Sequence, residues 1–145
     1  TELNYISNKG SMKAYKESEV VEKYQYLATL DNRTSDICRE LDGKIFELKE
    51  AKVGVNLPPL HPHCRSTTIP YFEDNEIEDR VARDKDGEGK SYKLGKDVTF
   101  FEWVEQYGSP EFKKRVQEQR RRFLDMDKKP RTKKKQEGEV DNKKE

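Results

Sequence analysis

The sequence predicts an α+β fold: a small antiparallel sheet with helices on one side, followed by a basic helix and a disordered tail. Three observations carry that prediction. Apolar residues alternate in three short runs, at 23–30, 44–48 and 65–71, a period of two that belongs to half-buried strands. Segments with helical spacing and recognisable start and stop signals separate and follow those runs. The apolar fraction is only 31% against 41% charged, too little to pack all 145 residues, so polar extensions are expected around a compact core.

The elements follow in chain order. In residues 1–18, Leu3, Ile6 and Tyr15 stand at roughly helical spacing, interrupted at Gly10 and Ser11. Tyr24, Tyr26, Ala28 and Leu30 alternate and predict the first strand. After a turn at Asp31-Asn32, Thr34 or Ser35 caps a short helix in which Ile37 and Leu41 share a face, and Gly43 supplies a left-handed stop. Lys44 to Leu48 is the second strand. Pro58, Pro59 and Pro62 hold the following segment as an extended, ordered loop, and Ser66 to Ile69 enters the third strand. Residues 73–89 then carry eight acidic side chains, with a hairpin turn at Asp84–Gly89. A calcium loop is excluded there, because Gly95 stands at the twelfth position, where a bidentate Glu is required. Thr99 and Glu102 form a capping box for a helix over Phe100–Tyr107, ended by Gly108. Ser109-Pro110 opens a second helix with the apolar seam Phe112, Val116 and Phe123. Beyond Asp127 the apolar period stops, and the tail is read as disordered. The expected division is a core at 1–72, an acidic hairpin and short helix at 73–108, a basic helix at 109–127 and a charged tail at 128–145.

The net charge of +1 hides an asymmetry: residues 111–145 carry a balance of +6 and residues 1–110 a balance of −5. The densest basic stretch contains Lys113, Lys114, Arg115, Arg120, Arg121, Arg122, Lys128, Lys129, Arg131, Lys133, Lys134 and Lys135. Spread along a helix and a tail without interleaved aromatics, these cations suit sequence-independent contact with the phosphates of double-stranded DNA. An acidic protein surface and a merely solvated helix face are the competing readings. No apolar run approaches the roughly 18 residues of a membrane span. A signal-peptide pattern is absent and the chain begins at Thr1, so it is read as part of a longer protein. Two cysteines exclude a disulfide-stapled scaffold and fit a reducing compartment.

Cys38, His61, His63 and Cys64 are all the cysteines and histidines of the chain. A His-x-x-Cys pair on a proline-stiffened loop presents both side chains to one ion, and Cys38 supplies a third ligand for zinc. The fourth donor would be His63, Asp42, Asp36 or water. The metal-free reading, in which the thiols are core residues and the imidazole bonds a carbonyl, stands beside it, as does a Cys38–Cys64 disulfide or reactive thiol. Asp31, Asp36 and Asp42 with Arg33 fit turn capping and an Arg–carboxylate brace better than catalysis.

The run YLATLDNRTSDICRELDGKIF, followed by PPLHPHCRSTTIPY, closely resembles the phage head morphogenesis family, the minor head (minor capsid) proteins related to the F protein of phage Mu. The resemblance covers about residues 1–72 and extends more weakly into RVARDKDGEGKSY and TFFEW. It implies a structural, non-enzymatic virion protein, present in few copies at the portal vertex, acting in head assembly or in DNA packaging and ejection. Its implied partners are the portal or other capsid proteins, and its implied locations are the virion and, during assembly, the host cytoplasm. The family's signature residues correspond to Asp31, Arg33, Cys38, Leu41, Asp42, Gly43, His61, Pro62, Cys64 and Arg65. Ser35 and Ser66 stand where many relatives carry further cysteines, which leaves a three-ligand zinc set at most. The family's upstream helical region is expected to precede Thr1.

Two other functions compete. A metal-dependent nuclease or other hydrolase of phage origin would use the Cys/His/Asp grouping, but no ligand-bearing helix follows the HPHC loop. A carrier module for a phage-encoded toxin is the other; the tail after Asp127 is itself too short and polar to be the toxin.

Overall fold

The computed structural model describes residues 1–74, 79–83, 91–95 and 97–128. Helix α1 (Glu2–Ser18) leads into strand β1 (Lys23–Leu27), the short helix α2 (Asp36–Leu41) and strand β2 (Ile45–Glu47), which runs on into a 3-10 turn at Leu48–Glu50. Strand β3 (Thr67–Tyr71) completes a three-stranded antiparallel sheet in the order β2-β1-β3. Strands β4 (Arg80–Arg83) and β5 (Ser91–Leu94) form a separate antiparallel pair, and helices α3 (Phe100–Tyr107) and α4 (Pro110–Asp127) follow.

The central position of β1 follows from its alternation. Tyr24 and Tyr26 point to one face and are fully buried. Tyr24 stacks at 5.7 Å on Phe46, its cross-strand neighbour, and packs with Met12 of α1, Leu48 and Leu57. Tyr26 packs with Ala28, Cys38 of α2 and Cys64. Both helices therefore cover the same sheet face, as expected. Gly10 and Ser11 do not break α1: Ser11 donates back to the Ser7 carbonyl at 3.1 Å, and packing on the sheet outweighs the weak propensity. Asn4 and Tyr15 of α1 also donate to the outward carbonyls of Ser66 and Thr68, which blunts the open edge of β3.

The first strand ends earlier than its alternation predicts, at Leu27 rather than residue 30. The Ala28 N–H donates to the Asp42 carboxylate at 2.8 Å and so leaves the ladder. Leu30 then pairs in parallel with Ala82 of β4, its carbonyl accepting from the Arg83 N–H at 3.0 Å. The second and third strands are shorter than expected too, beginning at Ile45 and Thr67. The hairpin turn expected at Asp84–Gly89 lies outside the described residues, as do Lys129–Glu145 of the expected tail; the strands on either side of that turn pair in register, Arg83 opposite Ser91.

A second core forms where Leu30 meets Ala82, Leu94, Phe100, Trp103, Val104, Phe112 and Val116. Trp103 lies edge-on to Phe100 and Phe112, and its indole N–H donates to the Tyr92 hydroxyl. The capping box is present: Thr99 accepts from the Glu102 N–H, and Glu102 accepts from the Thr99 N–H at 2.8 Å. Gly108 ends α3 by close approach, since a Cβ there would lie 2.4 Å from the Val104 carbonyl oxygen. Pro110 opens α4 behind the Ser109 cap, and Phe112 and Val116 of the predicted seam are buried, with Phe123 half-buried. Among the described residues, no helix is long and apolar enough to cross a membrane.

The two cores meet at one buried carboxylate. Leu41–Lys44 is a type II turn, with Asp42 at φ −56°, ψ 128°, Gly43 at φ 79° and the Lys44 N–H on the Leu41 carbonyl. That turn aims the Asp42 side chain inward. It accepts from Ala28 N–H, from Phe100 N–H at 2.7 Å and from both Arg80 terminal nitrogens at 2.8 and 3.0 Å. Arg80 also donates to the Val98 and Ala28 carbonyls. Replacing the carboxylate with an amide leaves the Arg80 cation buried and unpaired. Asp42→Asn is expected to lose about 3–5 kcal/mol of stability, read as a lowered urea midpoint with tryptophan emission at Trp103 as the probe.

Candidate metal centre

Cys38 sits on α2 with its thiol turned to the sheet, 2% exposed, and the Tyr26 hydroxyl donates to its sulfur at 3.3 Å. His61 and Cys64 come from the proline loop, which closes on itself through the Cys64 N–H to the His61 carbonyl. Cys38 Sγ lies 3.2 Å from His61 Nε2 and 3.9 Å from Cys64 Sγ. The three ligand atoms all fall within 4.8 Å of one another. Residues that stand 26 positions apart in the chain, Cys38 and Cys64, are thus in direct contact.

The donor set fits zinc. A tetrahedral zinc with sulfurs at about 2.3 Å and nitrogen at about 2.0 Å keeps two sulfurs roughly 3.8 Å apart and sulfur and nitrogen roughly 3.5 Å apart. The thiol spacing matches the first value, and the Cys38–His61 spacing lies a few tenths of an ångström inside the second. His61 Nδ1 is 2.7 Å from the Pro62 carbonyl oxygen, an acceptor, so Nδ1 carries the proton and Nε2 keeps its lone pair, beside Cys38 Sγ and the Ser35 hydroxyl. That tautomer is the one a ligating histidine needs. The hydrogen bond shared by the two thiols pushes Cys38 up, with burial adding to it, and holds Cys64 down against burial. Burial, reinforced by the neighbouring Cys38, pushes the Tyr26 hydroxyl far up, so it stays a donor.

The other expected donors are engaged elsewhere. His63 is exposed, at φ 60°, and its N–H binds the Thr1 hydroxyl. Asp42 is committed to Arg80, and Asp36 accepts from Arg39 at 3.2 Å. The group nearest to a fourth position is the Ser35 hydroxyl, 2.8 Å from His61 Nε2. Ser66, fully buried, lies beside the same thiols, where its hydrogen bonds lower both. Both serines that replace cysteines of the resemblance therefore stand within this cluster. The signal for it was in the sequence, in the pairing of those two departures.

The brace expected around Asp31 uses a different arginine. Arg33 contributes only its N–H, 2.9 Å from Asp31 Oδ1, as an Asx turn, and its side chain is exposed. The guanidinium comes from Arg65, which grips both carboxylate oxygens, with Arg65 Nη2 at 2.9 Å from Oδ1. The brace fixes the far end of the HPHC loop to the start of α2, because Asp31 also accepts from the Thr34 hydroxyl.

Residues 1–69 match the family model described as Phage Mu protein F like protein. That stretch, just under half of the chain, is similar to the Phage Mu F-like family. No curated protein and no solved structure matches the chain. Every member of the metal-capable cluster and both ends of the Asp31–Arg65 brace lie in the F-like segment. Arg80, which binds Asp42, lies outside it; its place in an acidic stretch gave no sequence signal of burial.

The basic stretch divides in two. Arg120 pairs with Glu40 of α2 at 2.7 Å and lies 3.9 Å over the Phe101 ring, and Lys113 reaches Glu105 at 3.9 Å. These two hold α4 to its neighbours. Lys114, Arg115, Arg121, Arg122 and Lys128 are exposed, interleaved with Glu118 and Asp125 at helical spacing. Lys129, Arg131, Lys133, Lys134 and Lys135 lie outside the described residues.

The brace has a pH signature. Burial works to raise the Asp31 pKa, but the Arg65 hydrogen bond and its charge, with the Arg33 N–H and Thr34, outweigh burial and hold it below the ordinary value. A carboxyl lowered in the folded state adds stability that is present above about pH 4 and lost as pH falls through the folded value. Asp31→Asn is expected to cost about 1.5–3 kcal/mol at pH 7. Thermal melts of the two proteins should converge as pH is lowered from 5 to 2.

Proposed function

We propose that this chain is a non-enzymatic minor component of a phage head, in which the F-like segment is a docking unit knitted together by a zinc-stapled loop. The observation that carries the reading is the family match over residues 1–69. The geometry supports a structural use of the cluster: both thiols are buried against Tyr26 and Ala28, where an ion would tie α2 to the proline loop. Zinc held by Cys38, His61 and Cys64 supplies cross-linking there, with Ser35 or water at the fourth position. Capsid or portal proteins are the partners this role requires. Mass spectrometry of purified virions should detect the protein in DNA-filled heads; its confinement to infected-cell lysate would overturn the reading.

Two outcomes are expected in solution. Elemental analysis of the purified protein should find about one zinc per chain, lost in Cys38→Ser, Cys64→Ser and His61→Ala, with a lowered melting temperature after chelation. Plasmid incubated with magnesium, manganese or zinc should stay intact, and cleavage abolished by His61→Ala would favour the nuclease alternative.

Contact with packaged DNA is the second part of the proposal, and it falls to the exposed cations of α4 and to the segment beyond Lys128. With Arg120 and Lys113 paired to Glu40 and Glu105, the full chain should bind duplex DNA with a salt slope set by about six phosphates, roughly 0.9 per phosphate. A version ending at Met126 should lose most of that slope. Equal, salt-insensitive binding by both versions would remove DNA from the list of partners.

A further inference from the structure

We propose that the groove between α1 and the 51–57 loop docks an acidic, amphipathic segment of a partner protein. This inference is independent of the metal cluster, which lies on other elements. The groove has a volume of about 670 Å³, within the range of sites that enclose a ligand. Its walls are apolar on both sides: Ile6 and Met12 from α1, Val53 and Leu57 from the loop. Ile6 is 64% exposed and Val53 43%, although only 31% of the chain is hydrophobic. Exposed Ile6 and Val53, backed by the buried Met12 and Leu57, favour any apolar side chain that covers them, at roughly 25 cal/mol per Å² buried.

The charge on the groove selects the partner. Lys9, Lys13 and Lys16 recur at helical spacing along α1 and all line it, a row roughly 10 Å long at 1.5 Å per residue. The single acid of the lining, Glu17, reaches Lys13 at 3.7 Å. The groove is therefore cationic within the part of the chain, residues 1–110, that carries a balance of −5. A Cβ at Gly10 would meet nothing within 4 Å, so the middle of the helix leaves room for a close approach. Apolar walls with a basic rim match a helix-in-groove ligand whose apolar residues fall at i, i+4 and i+7 and whose flanks carry carboxylates. Phosphates alone would satisfy the lysines and leave the aliphatic walls uncovered.

The test uses the full chain and a fluorescein-labelled 14-residue peptide with leucines at i, i+4 and i+7 and glutamates on the flanks. Controls are a scrambled peptide of the same composition and a lysine-flanked version. Anisotropy titration is expected to show the acidic amphipathic peptide binding about tenfold tighter than either control, a difference of about 1.4 kcal/mol, and weakening as salt rises. Ile6→Glu and the pair Lys9→Glu/Lys13→Glu, all at exposed positions, should each weaken it by about tenfold with unchanged melting temperature. Equal binding by the scrambled peptide, insensitivity to Ile6→Glu, or displacement of the peptide by duplex DNA would overturn the proposal. So would a dimer in native mass spectrometry that Ile6→Glu dissolves, because a second copy would then be the occupant.

Discussion

The Asp42 carboxylate, with no side-chain surface exposed to water, receives hydrogen bonds from two backbone N–H groups and two guanidinium nitrogens. A buried carboxylate is tolerable only when its lone pairs are met and its charge is matched, because isolated burial of such an ion costs many kcal/mol. Meeting that requirement forces three otherwise separate segments to one point. The chain after β1 turns away from the sheet to offer Ala28 N–H, β4 brings Arg80, and α3 begins with its first free N–H aimed at the same oxygen that Arg80 binds. Arg80 returns the constraint by filling the Ala28 and Val98 carbonyls.

The short helix α2 gains its position from this arrangement. Six residues are too few for a helix to be stable alone, and each face of α2 is held by a different neighbour. Cys38 enters the cluster under Tyr26. Arg39, buried, lies 4.8 Å over the Phe100 ring and donates to Gln119 of α4, and Glu40 pairs with Arg120. The helix ends at the turn that carries Asp42. The metal-capable cluster, the second core and the basic helix are therefore mechanically continuous through one element.

That continuity separates two kinds of positive charge. Arg39, Arg65, Arg80 and Arg120 each meet a carboxylate within the fold, and guanidinium suits the task because its planar fork satisfies two acceptors at once. The cations left outward-facing on α4 include Lys114, Arg121 and Arg122, so a count of basic residues in the sequence overstates the charge offered to a partner.

The sequence by itself determined the elements whose signals are local. Alternation at Tyr24 and Tyr26, the positive-φ Gly43, the Thr99–Glu102 box and the Ser109-Pro110 start each depend on neighbours a few residues away, and the structure bears them out. The Cys38/His61/Cys64 grouping was legible because those residue types are scarce in this chain. Only the tertiary structure decided which oppositely charged partners meet. Asp31 chose Arg65 over the adjacent Arg33, and Asp42, a residue expected to cap a turn, became the buried anion for Arg80. With 41% of residues charged, the sequence offers far more complementary pairs than the fold uses. Burial picks among them, because only pairs removed from water carry a large cost when mismatched, and burial is settled by packing between segments far apart in the chain.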